Sequence, residues 1–464
     1  MNLNDMLDRS ARRRPSAAAL VSVRDGAEET LTFDALRHLV LRAAAAFRAA
    51  GVGKGESVVI LHRNDPAFVV TYLGLCRIGA VAVPINFMVS KPEELAYMFS
   101  HSKAKGVVTQ REFLRGVQAA LKQCPQPARV WTTDERRGAG GRRGDDNPGA
   151  TADFWDFVES QPPYEEAAAV AAEDTAAVLY TSGTTGRSKG VMLTHANLVS
   201  NCEASIAAMG LGEDDVTLTI LPMFHTFAWT ANVLIPLCLG AKNVIVANIT
   251  PPKPWLKLMA RHGVTVFAAV PQIYALLAKQ ACGAKKLVLR YWFFRRVRLA
   301  VSGAAPLAPS TLEAFRSALG LRIVEGYGLT ETSPVATINP RNRPKPGSVG
   351  LPINGVSVRI VDDAGAELPR GGEGEILIKG PNVMKGYLDD AEATRAAVSP
   401  DGWFKTGDVG LIDEDGYVCI RDRKKDMIIV KGLKVFSAQV EQVIITHPDV
   451  AEAAVVGIPD ESGD

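Results

Sequence analysis

Ala176-Ala-Val-Leu-Tyr180-Thr-Ser-Gly-Thr-Thr-Gly-Arg-Ser-Lys-Gly190-Val-Met-Leu193 joins two apolar runs through a loop of small and hydroxylated residues. The outer runs read as strands, so this is a glycine-rich loop between two strands. Gly183, Gly186 and Gly190 permit a tight backbone whose N–H groups can face a phosphate, while Thr181, Ser182, Thr184 and Thr185 add hydroxyl donors and Lys189 adds a positive charge. Polyphosphate binding needs those groups. The loop is not a Walker loop, in which G-K-[ST] opens a helix; here Lys189 is followed by Gly190 and a strand. A merely flexible Ser/Thr/Gly turn would not need the lysine.

Upstream of the loop, helical and strand patterns alternate. Phe33 to Ala50 reads as an Ala-rich helix, Ser57 to Leu61 as a short buried strand, and Ala67 to Ile78 as a helix. Such alternation predicts α/β layers with parallel strands. Asp134 to Pro148 is rich in Gly and charge and reads as an exposed, mobile loop within the first unit. Downstream, Leu218 to Ala241 has no Lys, Arg, Asp or Glu, but Pro222, His225 and Pro236 interrupt it, so a buried strand, turn and helix are predicted instead of a membrane span. Leu287 to Leu299 interleaves aromatics with four arginines. It suits contact with a membrane or delivery of a lipid, but reads better as a partly buried helix with solvated arginines. From Val349 to Ile378, short apolar runs between Asp, Gly and Pro turns predict a small antiparallel sheet or barrel. After the charge run Arg421 to Lys425, a strand pair is predicted, then a helix N-capped by Ser437 and a strand over Ala451 to Ile458. These last forty or so residues are too few for a core of their own, so they pack on the main body or begin a domain that is cut short.

The chain of 464 residues, 47% of them hydrophobic, has room for two or three structural units with large cores. Lys plus Arg (52) nearly balances Asp plus Glu (50), which argues against nucleic acid as a partner and makes any anion site local. Six dispersed cysteines without a C-x-x-C pair argue against a disulfide framework or a zinc site. With acidic residues early and no continuous apolar run, the first residues do not read as a secretory signal. A cytoplasmic location is expected, with a peripheral position at the inner face of the membrane left open.

Further motifs place the loop in context. Ser302-Gly-Ala-Ala-Pro306, Glu325-Gly-Tyr-Gly-Leu-Thr-Glu-Thr332, Thr406-Gly-Asp408 and Asp422-Arg-Lys-Lys-Asp426 follow it in order. Together they resemble the signatures of the adenylate-forming superfamily of acyl-CoA synthetases, peptide-synthetase adenylation domains and luciferases, and the similarity runs through residues 1 to 464. Within the superfamily, the chain resembles the acyl-CoA synthetase branch, and in it bacterial long-chain fatty acid–CoA ligases. The resemblance implies an α/β fold: a large N-terminal domain of two layered α/β subdomains plus a small distorted β-barrel, then a small α+β C-terminal domain that is incomplete here. It assigns residues 1–422 to the adenylating (AMP-binding) domain and 423–464 to the hinge and the start of a truncated lid.

The reaction implied is activation of a carboxylic acid by ATP to acyl-AMP with release of pyrophosphate, then thioester formation with coenzyme A and release of AMP. A carboxylate attacking a phosphate must approach an anion, so neutralising charge matters more than supplying a base. By resemblance, Lys189, Thr330, Glu331 and His225 are the catalytic set, and Thr181 and Glu331 hold Mg²⁺, a hard cation with few protein oxygens and several waters. Thr181, Ser182, Gly183, Thr184, Thr185 and Gly186 would bind phosphates. Gly303, Ala304, Glu325, Gly326 and Tyr327 would line the adenine slot, with glycine giving close backbone approach and tyrosine stacking on the base. Asp408, taken as a loop residue, would accept the ribose hydroxyls with help from Arg423. Lys425 is the hinge, and Gly432 lines the tunnel for coenzyme A.

His225 resembles the histidine beside the substrate carboxylate. Trp229 matches a gating tryptophan of some long-chain ligases, though it reads equally well as core. Phe227 and Val270 would complete an apolar pocket, so a medium- or long-chain fatty acid or another apolar acid is the expected substrate. Transient membrane contact and a homodimer are left open. The family's C-terminal lysine has no counterpart before Asp464, which predicts a longer natural protein and poor adenylation by the 464-residue chain. Two rivals remain: an acyl-AMP ligase that loads a carrier protein, and a non-catalytic ATP-binding relative.

Overall fold

Local signals start and stop the helices. Asn2 and Asp5 form a capping box on helix Leu3–Arg13; Thr32 caps Phe33–Ala49 by accepting the Ala35 amide; Asp65 caps Pro66–Arg77, which opens on a proline. His195–Met209 begins with a Thr194/Asn197 capping box and ends at Gly210 in a left-handed conformation. The computed structural model describes residues 1–24, 26–126, 128–134, 151–165, 169–181, 187–430, 433–444, 447, 450 and 453–458.

Two large sheets carry the molecule. The nine-stranded one has Ala18–Arg24, Lys242–Ile245, Val216–Thr219, Val266–Ala269, Leu299–Ser302 and Ile323–Gly328 in parallel, with antiparallel strands at both edges. The eight-stranded one has Thr175–Thr181, Val81–Pro84, Ser57–Leu61, Gly106–Thr109, Arg129–Thr132 and Thr151–Asp153 in parallel, and Lys189–Thr194 turns back along Thr175–Thr181. A four-stranded antiparallel sheet, Ser357–Val361, Gly374–Lys379, Phe404–Ile412 and Val418–Arg423, forms the small β unit. The α/β layering and the small β unit agree with the sequence reading.

The Ser57–Leu61 strand shows why its sequence is continuously apolar. Val58 and Ile60 face the main core, while Val59 and Leu61 face a second core under helices Pro92–His101 and Arg111–Leu121. Successive side chains of a strand point to opposite faces, so a sheet covered on both sides needs apolar residues at every position. The main core takes side chains from both large sheets and from the Phe33–Ala49 and Pro66–Arg77 helices.

Leu218 to Ala241 is the predicted strand, turn and helix, the helix carrying a π-helical turn over Trp229–Leu234. No helix among the described residues is long and apolar enough to cross a membrane. Beyond Asp134, the loop predicted over 134–148 lies outside the described residues.

Three local expectations change. Ser437 is the first residue of helix Ser437–Ile444, not its N-cap, and its hydroxyl donates to Asp422 Oδ2 at 3.0 Å. Residues 453–458, expected in a strand, form none. Over 287–299 the arginines are not the only solvated groups: Leu289 and Phe294 anchor the segment inward, but Leu287, Val288, Tyr291 and Trp292 are exposed. The described part of the last forty residues meets the Val418–Arg423 strand through the Ser437–Asp422 bond.

Candidate functional site

A cavity of about 920 Å³ is lined from all three sheets. Thr181 and Lys189 pair across the mouth of the Thr175–Thr181/Lys189–Thr194 hairpin and both line it. Ser182, Gly183, Thr184, Thr185 and Gly186, which come between those two strands in the sequence, lie outside the described residues, as does Gly432. The Lys189 ammonium sits 5.0 Å from the centre of the Tyr387 ring, and the Tyr387 hydroxyl donates to Glu331 Oε1 at 3.1 Å. Burial pushes the Glu331 carboxyl above its ordinary range, and the Tyr387 hydrogen bond pulls it back.

Thr330 and Glu331 lie on a short 3-10 turn, Thr330–Thr332, fixed from three sides. Asn201 donates to the Val335 carbonyl at 2.6 Å, Asn382 donates to the Thr332 carbonyl at 3.0 Å, and the Leu329 amide donates to Thr332 Oγ1 at 2.9 Å. Gly328 precedes this turn, and a β-carbon there would lie 1.7 Å from the Pro334 carbonyl oxygen, so only glycine fits. At Gly303, by contrast, a β-carbon would meet ordinary contacts from 3.5 Å outward; the strained neighbour is Ala304, with φ of 67°. Gly303, Ala304 and Gly326 all line the cavity.

Asp408 is in a strand, Phe404–Ile412, not in the loop expected for it, and pairs in register with Arg423 on the next strand. Its carboxylate accepts from the Tyr327 hydroxyl at 2.5 Å and lies 3.5 Å from Arg423 Nε. Burial raises its pKa, and Tyr327 and Arg423 oppose the rise. One carboxylate oxygen is thus committed to tyrosine and the other lies towards an exposed arginine. Lys425 follows, in a turn closed by the Asp426 and Met427 amides on the Arg423 carbonyl, and also lines the cavity.

Glu325 stands off the large cavity. It lines a smaller one of about 310 Å³ with Arg316, Arg322 and Lys345, and burial pushes its carboxyl up to about 7. Its expected place in the adenine slot is corrected accordingly.

His225 caps the Thr226–Ala228 turn, its Nδ1 accepting the Phe227 amide at 3.2 Å. Burial lowers its pKa, so the ring is neutral, and with Nδ1 accepting, the proton sits on Nε2. Asn64 holds the preceding loop: its amide donates to the Leu221 carbonyl at 2.9 Å and the Val246 carbonyl at 3.1 Å, and its oxygen accepts the Met223 amide at 2.8 Å. Beside His225 and Phe227 the cavity is lined by Ala231, Ile235, Val266 and Ala268, and also by Met209 and Leu211. None of these six carries a charge.

Two pocket expectations fail. Trp229 is 3% exposed and does not line the cavity; its ring packs 4.2 Å from Tyr72 and 5.4 Å from Phe68, on helix Pro66–Arg77. Neighbouring Thr230 and Ala231 face the cavity instead. Val270 is half-buried at the start of helix Pro271–Gln280 and does not line it either. Tyr387, Asn64, Asn201 and Asn382 were missed by sequence reasoning. Asn201, inside a helix, carried no local signal; Tyr387 follows a glycine in Gly386–Tyr387, a strand of two residues that betrays nothing until it pairs with Lys189–Thr194.

Residues 7–388 match the model of the AMP-binding enzyme family, and residues 439–464 that of the AMP-binding enzyme C-terminal domain. The chain is 34% identical over 470 residues to 4-coumarate–CoA ligase 5 of Oryza sativa subsp. japonica, covering 98% of this chain and 82% of that protein. It is 32% identical over 491 residues to a long-chain-fatty-acid–CoA ligase of Yersinia pestis, covering 99% and 83%. Among solved structures, an anthranilate CoA ligase in complex with anthranoyl-AMP superposes with a TM-score of 0.88 at 28% identity, covering 100% of this chain and 85% of that one. With a family model matched over most of its length and relatives this similar along nearly all of it, the chain belongs to the AMP-binding enzyme family.

Proposed function

We propose that the protein activates an apolar carboxylic acid with ATP as the acyl-adenylate and transfers the acyl group to coenzyme A. The observation that carries this reading is one cavity that joins a lysine-bearing hairpin, a tyrosine–aspartate–arginine cluster, a neutral histidine and a group of uncharged side chains. ATP fits the first two parts and the acid the last two.

Asp408 accepts the ribose hydroxyls, with Tyr327 and Arg423 holding its carboxylate in place. Lys189, Thr181 and Thr330 surround the phosphates, where Lys189 spreads the charge that develops as the bond to pyrophosphate breaks. The Nε2–H of His225 donates to the acid and aims its oxygen at the α-phosphorus; the oxygen–phosphorus bond forms as pyrophosphate leaves. The thiol of coenzyme A then attacks the acyl carbon, and AMP leaves.

Mg²⁺ fits the residues present. Glu331 offers a buried carboxylate with only one oxygen taken by Tyr387, and Thr181 a hydroxyl; no cluster of three or more His, Cys, Asp or Glu side chains competes among the described residues. That sparse donor set suits an ion held largely by phosphate oxygens and water. When bound, the ion would neutralise phosphate charge.

For the acid, the uncharged walls from Ala231 to Leu211 support an aliphatic chain of medium or greater length. The similarity to a 4-coumarate–CoA ligase favours a flat aryl acid as the second reading. Release of pyrophosphate and AMP, measured with coenzyme A across acids from acetate to oleate and with 4-coumarate and benzoate, separates the two. Turnover that rises with aliphatic length supports the first; turnover confined to aryl acids replaces it; no acid-dependent AMP release removes the activity itself.

A further inference from the structure

Between Val216 and Leu312 the chain has eleven Lys and Arg residues and no Asp or Glu, although the whole chain is nearly balanced. Two of these cations reach carboxylates elsewhere: Arg261 pairs with Glu28 and Arg298 with Asp215. Five others, Lys285, Lys286, Arg290, Arg295 and Arg296, cluster on and just after the helical segment Gly283–Phe293, and none of them meets a carboxylate among the described residues.

The same segment exposes its large apolar side chains. Leu287 is 58% exposed, Val288 49%, Tyr291 63% and Trp292 61%. Leu287 with Tyr291, and Val288 with Trp292, are four residues apart and form two adjacent columns on one surface. Arg290 lies 5.2 Å from the Tyr291 ring centre and Arg295 5.8 Å from that of Trp292. Trp and Tyr flanked by cations, with exposed aliphatic side chains one helical turn before them, match the chemistry of a headgroup boundary. A phosphate backbone alone would engage the cations but leave Leu287 and Val288 in water.

Five residues past the segment, Arg298 donates to the Gly210 carbonyl at 3.0 Å, and the residues on either side of Gly210, Met209 and Leu211, line the cavity.

We propose that the surface formed by Leu287, Val288, Tyr291 and Trp292, ringed by Lys285, Lys286, Arg290, Arg295 and Arg296, docks the protein on a bilayer containing anionic phospholipid. The contact is peripheral: side chains enter the headgroup boundary and the cations face lipid phosphates. It does not depend on which acid is activated, because binding is measured with neither ATP nor acid present.

The test is sedimentation of the whole chain with vesicles of phosphatidylcholine alone or with about one-third phosphatidylglycerol, with quenching of tryptophan by brominated acyl chains as a second readout. Anionic vesicles are expected to bind roughly tenfold or more tightly than neutral ones, with salt weakening the difference. Trp131, Trp155, Trp229 and Trp255 are buried and Trp403 is half-buried, with the Arg359 guanidinium 4.2 Å from its ring centre, so quenching should fall sharply in Trp292→Phe while binding persists. Lys285→Glu with Arg290→Glu should lower anionic binding by about tenfold or more. Tyr291→Ser with Trp292→Ser should lower it too; if that variant misfolds, the charge reversal decides. The proposal is overturned if the wild type binds neither vesicle, if the charge reversal leaves binding unchanged, or if quenching in Trp292→Phe equals that of the wild type. It is also overturned if the wild type prefers RNA to anionic vesicles, or if the variants alter only self-association in sedimentation velocity.

Discussion

Glu325 is a carboxyl that the fold burdens. Burial pushes it up to about 7, and no hydrogen bond or ion pair to another described residue offsets the loss of water. Below pH 4.5 both folded and unfolded chains hold its proton. Between 4.5 and 7 the unfolded chain releases it first, so stability falls as pH rises, and above 7 the whole penalty applies. Glu325→Gln should therefore be more stable than the wild type at pH 8 by roughly 1–2 kcal/mol after allowance for solvent contact, and the gain should vanish near pH 4.5. Urea midpoints of both proteins across that range test it; a gain equal at all pH values would mean that the ionised carboxyl is not the cause. Gly328 is constrained differently. The β-carbon of Gly328→Ala would overlap the Pro334 carbonyl, so the turn bearing Thr330 and Glu331 must move. A loss of about 3 kcal/mol in stability and of roughly 100-fold in adenylation is expected. Thermal unfolding and pyrophosphate release check the two; wild-type values would show that the turn yields without cost.

Asn64 acts between elements. It stands at the end of one sheet's strand and holds the loop that leaves a strand of the other, through hydrogen bonds to Leu221, Met223 and Val246. Asn64→Leu keeps the bulk and leaves those backbone groups unpaired, so a loss of roughly 2–4 kcal/mol is expected, with a higher KM for the acid because His225 follows the loop. Calorimetry and acid-dependent kinetics check it; loss of stability with an unchanged KM would separate Asn64 from the acid pocket. Elements of this kind mark the limit of what the sequence could tell. The helices Phe33–Ala49 and Pro66–Arg77 and the strand Ser57–Leu61 were legible because caps, prolines and apolar runs are local signals. Trp229 was not. In a stretch without charge, buried on every side, no polar face shows which residues look into a cavity and which into the core. The ring turned to Tyr72 and Phe68, where burial of three aromatics is favourable, and left Thr230 and Ala231 to the cavity. Likewise, the strand place of Asp408 depends on pairing with Arg423, a partner fifteen residues on, and the position of Tyr387 on a strand nearly two hundred residues away.

At the scale of the whole molecule, the proposed chemistry has two steps with different needs. The first excludes water from ATP; the second admits a thiol on a long arm. We expect the segment after Lys425 to move between them. The turn there is short, with the Asp426 amide on the Arg423 carbonyl at 3.0 Å and the Lys424 amide on the Gly407 carbonyl at 2.7 Å, and the Lys425 amide makes no backbone hydrogen bond within it. Across it, Ser437 and Asp422 tie the following helix to the preceding strand at 3.0 Å. Rotation at Lys425 would break that bond but no pairing of a large sheet. Among the described residues, Lys425→Pro removes no backbone hydrogen bond, but it fixes φ and restricts the residue before it. One half-reaction should then keep most of its rate and the other fall by roughly tenfold or more, because a locked hinge favours one orientation. Single-turnover acyl-AMP formation and thioester formation from preformed acyl-AMP measure the steps separately. Lysine also lines the cavity, so Lys425→Ala is needed beside it: equal losses in the alanine and proline variants would place the effect in the side chain's charge and remove the hinge.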